Sequence, residues 1–154
     1  MLKTDTSGTV VNADIKLSNY ATTWNTRLAK IMSQPGDIIV CTFSISDLPY
    51  ICRILAKHSN GVTILAHERY AYQAKLLKKW YPEIRIYVSP YAHAKLVLQE
   101  PGLVWLSSEN LGHTKKSFDA SICIENEEVY SHYRSQVDRL LRNQETIEIM
   151  EDMV

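Results

Sequence analysis

Neither sign of charge is in excess: Lys and Arg together number 17, as do Asp and Glu. There is then no global field to draw nucleic acid or an anionic membrane towards the chain, and any polyanion must be held locally. No two cysteines have the C-x-x-C spacing of a redox or zinc site. Cys41, Cys52 and Cys123 sit among apolar neighbours and are expected as buried thiols in a reducing compartment. No window approaches eighteen uninterrupted apolar residues, and the opening Met1 to Gly8 lacks the apolar centre of a signal peptide. Secretion and membrane spanning are not expected, and the cytoplasm is the expected location. Internal repeats and low-complexity segments are also missing.

What is present is ordinary globular material. With 154 residues, 45% of them hydrophobic and 22% charged, the chain is long enough for one domain with a proper core and too short for two. A weak strand is expected over Thr9 to Ile15. A helix capped by Ser18 follows, with Tyr20, Trp24, Leu28 and Ile31 on one face and Pro35-Gly36 as its stop. Ile38 to Phe43 is a continuous apolar run of the kind buried on both faces of a sheet. Ser46 or Asp47 starts a helix that turns Leu48, Ile51, Cys52 and Leu55 inward, with Pro49 in its first turn.

Val62 to Ala66 is a second buried strand. The next helix, from about Glu68 to Trp80, carries Tyr70, Ala74, Leu77 and Trp80 on one side. Glu83 to Val88 alternates as a strand, Ser121 to Ile124 forms the last strand, and Asn126 caps a final helix bearing Val129, Tyr133, Val137 and Leu140 or Leu141. Glu145 to Val154 reads as a mobile acidic tail. Strands alternating with helices predict an α/β domain, a mixed sheet with helices on both faces, over residues 1–154.

The chemistry concentrates between His93 and Asn110. Leu96 to Leu98 and Leu103 to Leu106 flank Pro101-Gly102, a type II turn signal, so these runs read as a β-hairpin. A two-residue turn sets Glu100 opposite Leu103, Lys95 opposite Ser108 and His93 opposite Asn110, and gathers His93, Lys95, Ser108 and Asn110 on one patch. A bulge or a longer loop would shift that register by one residue. His93 offers a nucleophile or proton carrier near neutral pH, Lys95 a fixed positive charge, and Ser108 and Asn110 neutral donors, a set that suits a phosphate oxyanion. It does not suit a metal, because Lys95 would repel a cation and no second ligand stands at useful spacing.

His93-x-Lys95, then four residues to Glu100, then six to Ser107-Ser108-Glu109-Asn110, closely resembles the H-x-K-x4-D-x6-G-S-x-N signature of the phospholipase D superfamily. Glu100 stands where the family has Asp, and Ser107 where it has Gly. Downstream, Asp119 in Phe118 to Ile124 resembles the acidic residue that opens the following strand in small single-signature members. The joined signature occurs once in this chain.

That resemblance implies a phospholipase D-like half-unit that pairs as a homodimer, since family enzymes bring two signature copies together and an isologous contact supplies the second. It implies a metal-independent phosphodiesterase that needs no cofactor and works through a phosphohistidine. His93 would be the nucleophile, and His93 of the partner subunit the proton donor. Lys95, Ser108 and Asn110 would bind the non-bridging oxygens, and Asp119 would orient the imidazole. Glu100 falls in the signature and is expected to support the hairpin turn.

Small members resemble nucleases more than lipases, and no amphipathic helix suggests membrane docking, so DNA or RNA is the expected substrate. Lys115 and Lys116, just beyond the signature, are candidates for phosphate-backbone contact. Lys75, Lys78 and Lys79 read as a solvated face. His58, His67 and His132 read as solvated, His113 as a loop residue, and Trp24, Trp80 and Trp105 as core or dimer contacts. The alternatives are a catalytically silent module binding nucleic acid or protein, and a phospholipid phosphodiesterase.

Overall fold

The computed structural model describes residues 13–19, 31, 34–57, 61–108, 110–111 and 118–153. Among these residues eight strands form one mixed sheet: β1 (Ala13–Asn19), β2 (Ile38–Cys41), β3 (Val62–His67), β4 (Arg85–Ser89), β5 (Leu96–Gln99), β6 (Leu103–Ser107), β7 (Phe118–Glu125) and β8 (Ile147–Glu148). Their order across the sheet is β1, β7, β6, β5, β2, β3, β4, β8. β2, β3 and β4 are parallel to one another, and every other pairing is antiparallel.

Helices α1 (Leu48–Leu55) and α2 (Ala71–Trp80) are the crossovers between the parallel strands. Both cover one face, where Tyr50, Ile51, Leu55, Ala74 and Leu77 pack with Val40, Ile64, Ile86, Val97 and Trp105. Helix α3 (Glu127–Leu141) covers the opposite face, with Tyr130 and Val137 against Ile39, Leu65, Leu98 and Val104. Central strands are thus sealed on both sides, which is why β2 is apolar at every position.

The helix starts follow their capping chemistry. The Asp47 side chain accepts from Tyr50 N, with Pro49 in the first turn, and Asn126 Oδ1 accepts from Val129 N at 3.0 Å. The expected α/β architecture with helices on both faces is the one observed.

Five expectations are corrected in whole or in part. β1 runs through Ser18, so that residue is in a strand and does not cap a helix; residues 20–30 lie outside the described residues. Trp80 is 49% exposed and so lies outside the core, one of the two places expected for it, because the inward stripe continues from Leu77 to Tyr81, whose hydroxyl donates to Cys52 O at 2.9 Å. β7 is not the last strand. The final segment returns to the sheet instead of trailing off: β8 pairs with β4, Ile149 N donates to Ile86 O at 2.8 Å, and Ile149 is buried. Of the three thiols, Cys41 is buried and Cys52 and Cys123 are half-buried; burial pushes the Cys41 thiol up to about 12.

Gly36 is a point where the backbone leaves no room. Its φ is +130°, and a Cβ there would lie 2.5 Å from the Glu100 carbonyl oxygen. Gly36→Ala is expected to destabilise the fold by about 2 kcal/mol or more, read as a lower urea midpoint, because the strained φ and the backbone clash act together.

Candidate active site

The topology brings six chain segments to one edge of the sheet. β2 and β3 end there, β5 begins there, β6 ends there and β7 begins there. Thr42 to Ser44, His67, His93 to Lys95, Ser107-Ser108, Asn110 and Asp119 therefore lie along the end of the sheet where the parallel strands have their carboxyl ends, the end at which open α/β sheets take their ligands.

The hairpin is present with the register shifted by one residue. Leu96 faces Leu106 and Gln99 faces Leu103, so the connection holds three residues, Glu100 to Gly102, with the Glu100–Pro101 peptide cis. The Glu100 N–H is drawn instead to Asp37 O at 3.2 Å, and the buried Gln99 side chain donates to Ile31 O at 2.6 Å. Lys95 is consequently opposite Ser107, whose N–H donates to Lys95 O at 3.0 Å. Ser108 has left the β5–β6 ladder and reaches across to β7.

That reach organises the acidic residue. Ser108 Oγ donates to Asp119 Oδ1 at 2.7 Å, accepts from Ala120 N at 3.1 Å, and Ser108 N donates to Ala120 O at 3.0 Å. Asp119 is only 8% exposed, so a charge-assisted partner at that distance matters to it.

Asn110 is anchored just beyond the end of β2. Its Oδ1 accepts from Phe43 N at 3.2 Å and Ser44 N at 3.1 Å. Thr42 Oγ1 is 3.4 Å from the same oxygen but only 2.8 Å from Ser44 O, where its single proton is better used; it also accepts from Leu111 N at 2.8 Å. With Oδ1 committed to backbone donors, any hydrogen bond from Asn110 to a substrate must come from its Nδ2 amide.

His93 is exposed and packs on the Phe43 ring, centroids 5.1 Å apart. Lys95 is half-buried, with Nζ 3.4 Å from His93 O. The turn before His93 is tied down: Tyr91 N donates to Ser89 Oγ at 3.2 Å, and the Tyr91 hydroxyl donates to Glu145. That hydrogen bond, with the nearby carboxylate charge, pushes the Tyr91 hydroxyl up from its ordinary value.

Glu100 is not brought to this cluster. It sits at the far end of β5, roughly 16 Å of extended chain from Lys95 at about 3.3 Å per residue. Its carboxylate lies 3.8 Å from Arg134 Nη1 on α3. Lys115 and Lys116 lie outside the described residues, as do His58, His113 and Trp24. Lys78 is not simply solvated, since its Nζ donates to Pro82 O at 2.6 Å and Ile84 O at 2.8 Å at the end of α2. Trp105 is fully buried in the core. Among the described residues no three of His, Cys, Asp and Glu come together as a metal-holding group.

Sequence reasoning missed Thr42, Phe43, Ser44 and His67. The available signal was their position immediately after apolar runs destined to be parallel strands.

No family model and no curated protein sequence matches the chain. Solved structures do match. This chain has a phospholipase D-like fold. It is similar to Nuc from Salmonella typhimurium, a phospholipase D family member, at a TM-score of 0.72 and 15% identity over 90% of this chain and 98% of that one. It is also similar to NucT from Helicobacter pylori, at 0.62 and 14% identity over 88% of this chain and 100% of that one. Phosphatidylserine synthase from Haemophilus influenzae matches at 0.69 and 11% identity over 93% of this chain, which spans 41% of that longer protein.

Proposed function

We propose that the chain is a phosphodiesterase of phospholipase D type that cleaves nucleic acid in a site shared by two subunits. The observation that carries the reading is the gathering of His93, Lys95, Ser108, Asn110 and Asp119 at one sheet edge of a phospholipase D-like fold. An exposed imidazole, a half-buried ammonium and neutral donors form a cradle for a phosphoryl group.

In this reading a His93 nitrogen attacks phosphorus and forms a P–N bond as the P–O bond to the leaving group breaks. His93 of the partner subunit gives that oxygen its proton, then takes one from water as the water oxygen attacks phosphorus and releases His93. Lys95 and the Asn110 amide hold the non-bridging oxygens. Asp119, fixed by Ser108, is assigned to orienting the imidazole, and Glu100 to bracing the hairpin turn against Arg134. Lys115 and Lys116 are assigned to backbone contact.

Incubation with plasmid and single-stranded DNA and with RNA in EDTA tests the activity, with phospholipid vesicles as the competing substrate. Degradation of nucleic acid with vesicles intact is expected, together with a light-scattering mass twice that of the 17.7 kDa chain. Release of lipid headgroup would favour the phospholipid reading. Binding without cleavage would favour the silent module, and a strict monomer at micromolar concentration would remove the shared site.

A further inference from the structure

The Phe43 ring touches two imidazoles. The His93 ring lies 5.1 Å from its centroid at 47°, and the His67 ring 4.9 Å away at 53°, with Tyr70 edge-on at 5.8 Å. Both histidines thus pack on a single ring, and their centroids are separated by no more than those two distances taken together. His67 closes β3, pairs with Ser89 of β4, and donates its N–H to Phe43 O at 3.2 Å, so its backbone is held on both sides.

The tautomer of His67 follows from its surroundings. Nδ1 accepts from Arg69 N at 3.2 Å, and an accepting nitrogen carries no proton, so the neutral ring has its proton on Nε2. His67 is then an N–H donor with a fixed direction. It is half-buried at the edge where the parallel strands end.

We infer that His67 binds the phosphate next to the one at His93. Its Nε2–H donates to a non-bridging oxygen of that second phosphate, one nucleotide further along the backbone. The inference rests on the phosphodiesterase reading and sharpens its substrate class: an oligonucleotide with at least two phosphates, in preference to a diester with one.

The test compares wild type, His67→Ala and His67→Gln on a short oligothymidylate and on bis(p-nitrophenyl) phosphate, which has a single phosphate. His67→Ala is expected to raise KM for the oligonucleotide about five- to tenfold, the effect of one neutral hydrogen bond, with kcat within about twofold. The single-phosphate diester should show no change. His67→Gln should recover most of the loss, because its amide can donate from near the Nε2 position. Equal losses on both substrates, or no change on either, would overturn the assignment. Should wild type hydrolyse neither, the phosphodiesterase reading fails separately, and the His67 Nε2 resonance decides. A shift on adding oligothymidylate that bis(p-nitrophenyl) phosphate does not reproduce supports the contact, and an unmoved resonance overturns it.

Discussion

His93→Ala is expected to lower kcat for phosphodiester hydrolysis by at least about a thousandfold, since the proposed two-step displacement has no substitute for its nucleophile. Its effect on stability should be small. His93 is exposed and gives up only a contact with Phe43, so the unfolding free energy is expected to stay within about 0.5 kcal/mol of wild type. Initial rates on a defined oligonucleotide, taken beside a urea titration of the same preparations, make the comparison. A variant that cleaves as fast as wild type would point to a contaminating nuclease or to a different nucleophile.

Asn110 offers the second large effect, because in the proposed reading one side chain serves both fold and substrate. Asn110→Ala leaves the half-buried Phe43 and Ser44 N–H groups without their acceptor, an expected cost of about 2–4 kcal/mol. Asn110→Asp keeps an oxygen for those donors but puts a carboxylate where the amide would meet the phosphate. Its stability should remain within about 1 kcal/mol of wild type while kcat/KM falls at least about a hundredfold through repulsion of the substrate charge. Urea midpoints and kcat/KM for both variants separate the two roles. An alanine variant with wild-type stability would deny the anchoring role, and an active aspartate variant would deny the phosphate contact.

Much of the architecture was legible because its signals are local. Continuous apolar runs mark β2 and β3, Asp47 and Asn126 cap the helices that follow them, and Pro101-Gly102 marks a turn. The hairpin register was not legible, because it depends on Glu100 N–H finding Asp37 O in a different part of the chain. The fate of the last residues was hidden for the same reason. An acidic stretch gives no sign that Ile149 will be buried beside Ile86.

The site divides along the same line. His93, Lys95, Ser108 and Asn110 are joined by fixed spacing and could be read together. Their supports could not: Thr42, Phe43 and Ser44 meet Asn110 because the chain beyond β6 runs beside the chain beyond β2, where Leu111 pairs with Ile45, and His67 meets Phe43 only because β3 lies beside β2. Ser108 and Asp119 met in an unforeseen way, through a serine that has left its ladder and spans to the next strand.

Trapping the covalent intermediate tests the chemistry most directly. Protein mixed with oligothymidylate is quenched in alkali, where a phosphohistidine survives, then digested and weighed by mass spectrometry. The peptide containing His93 is expected to carry the added nucleotide mass, and the His93→Ala protein to carry none. An adduct on another residue, or rapid cleavage by the His93→Ala protein with no adduct at any time point, would contradict the assignment of His93 as the nucleophile.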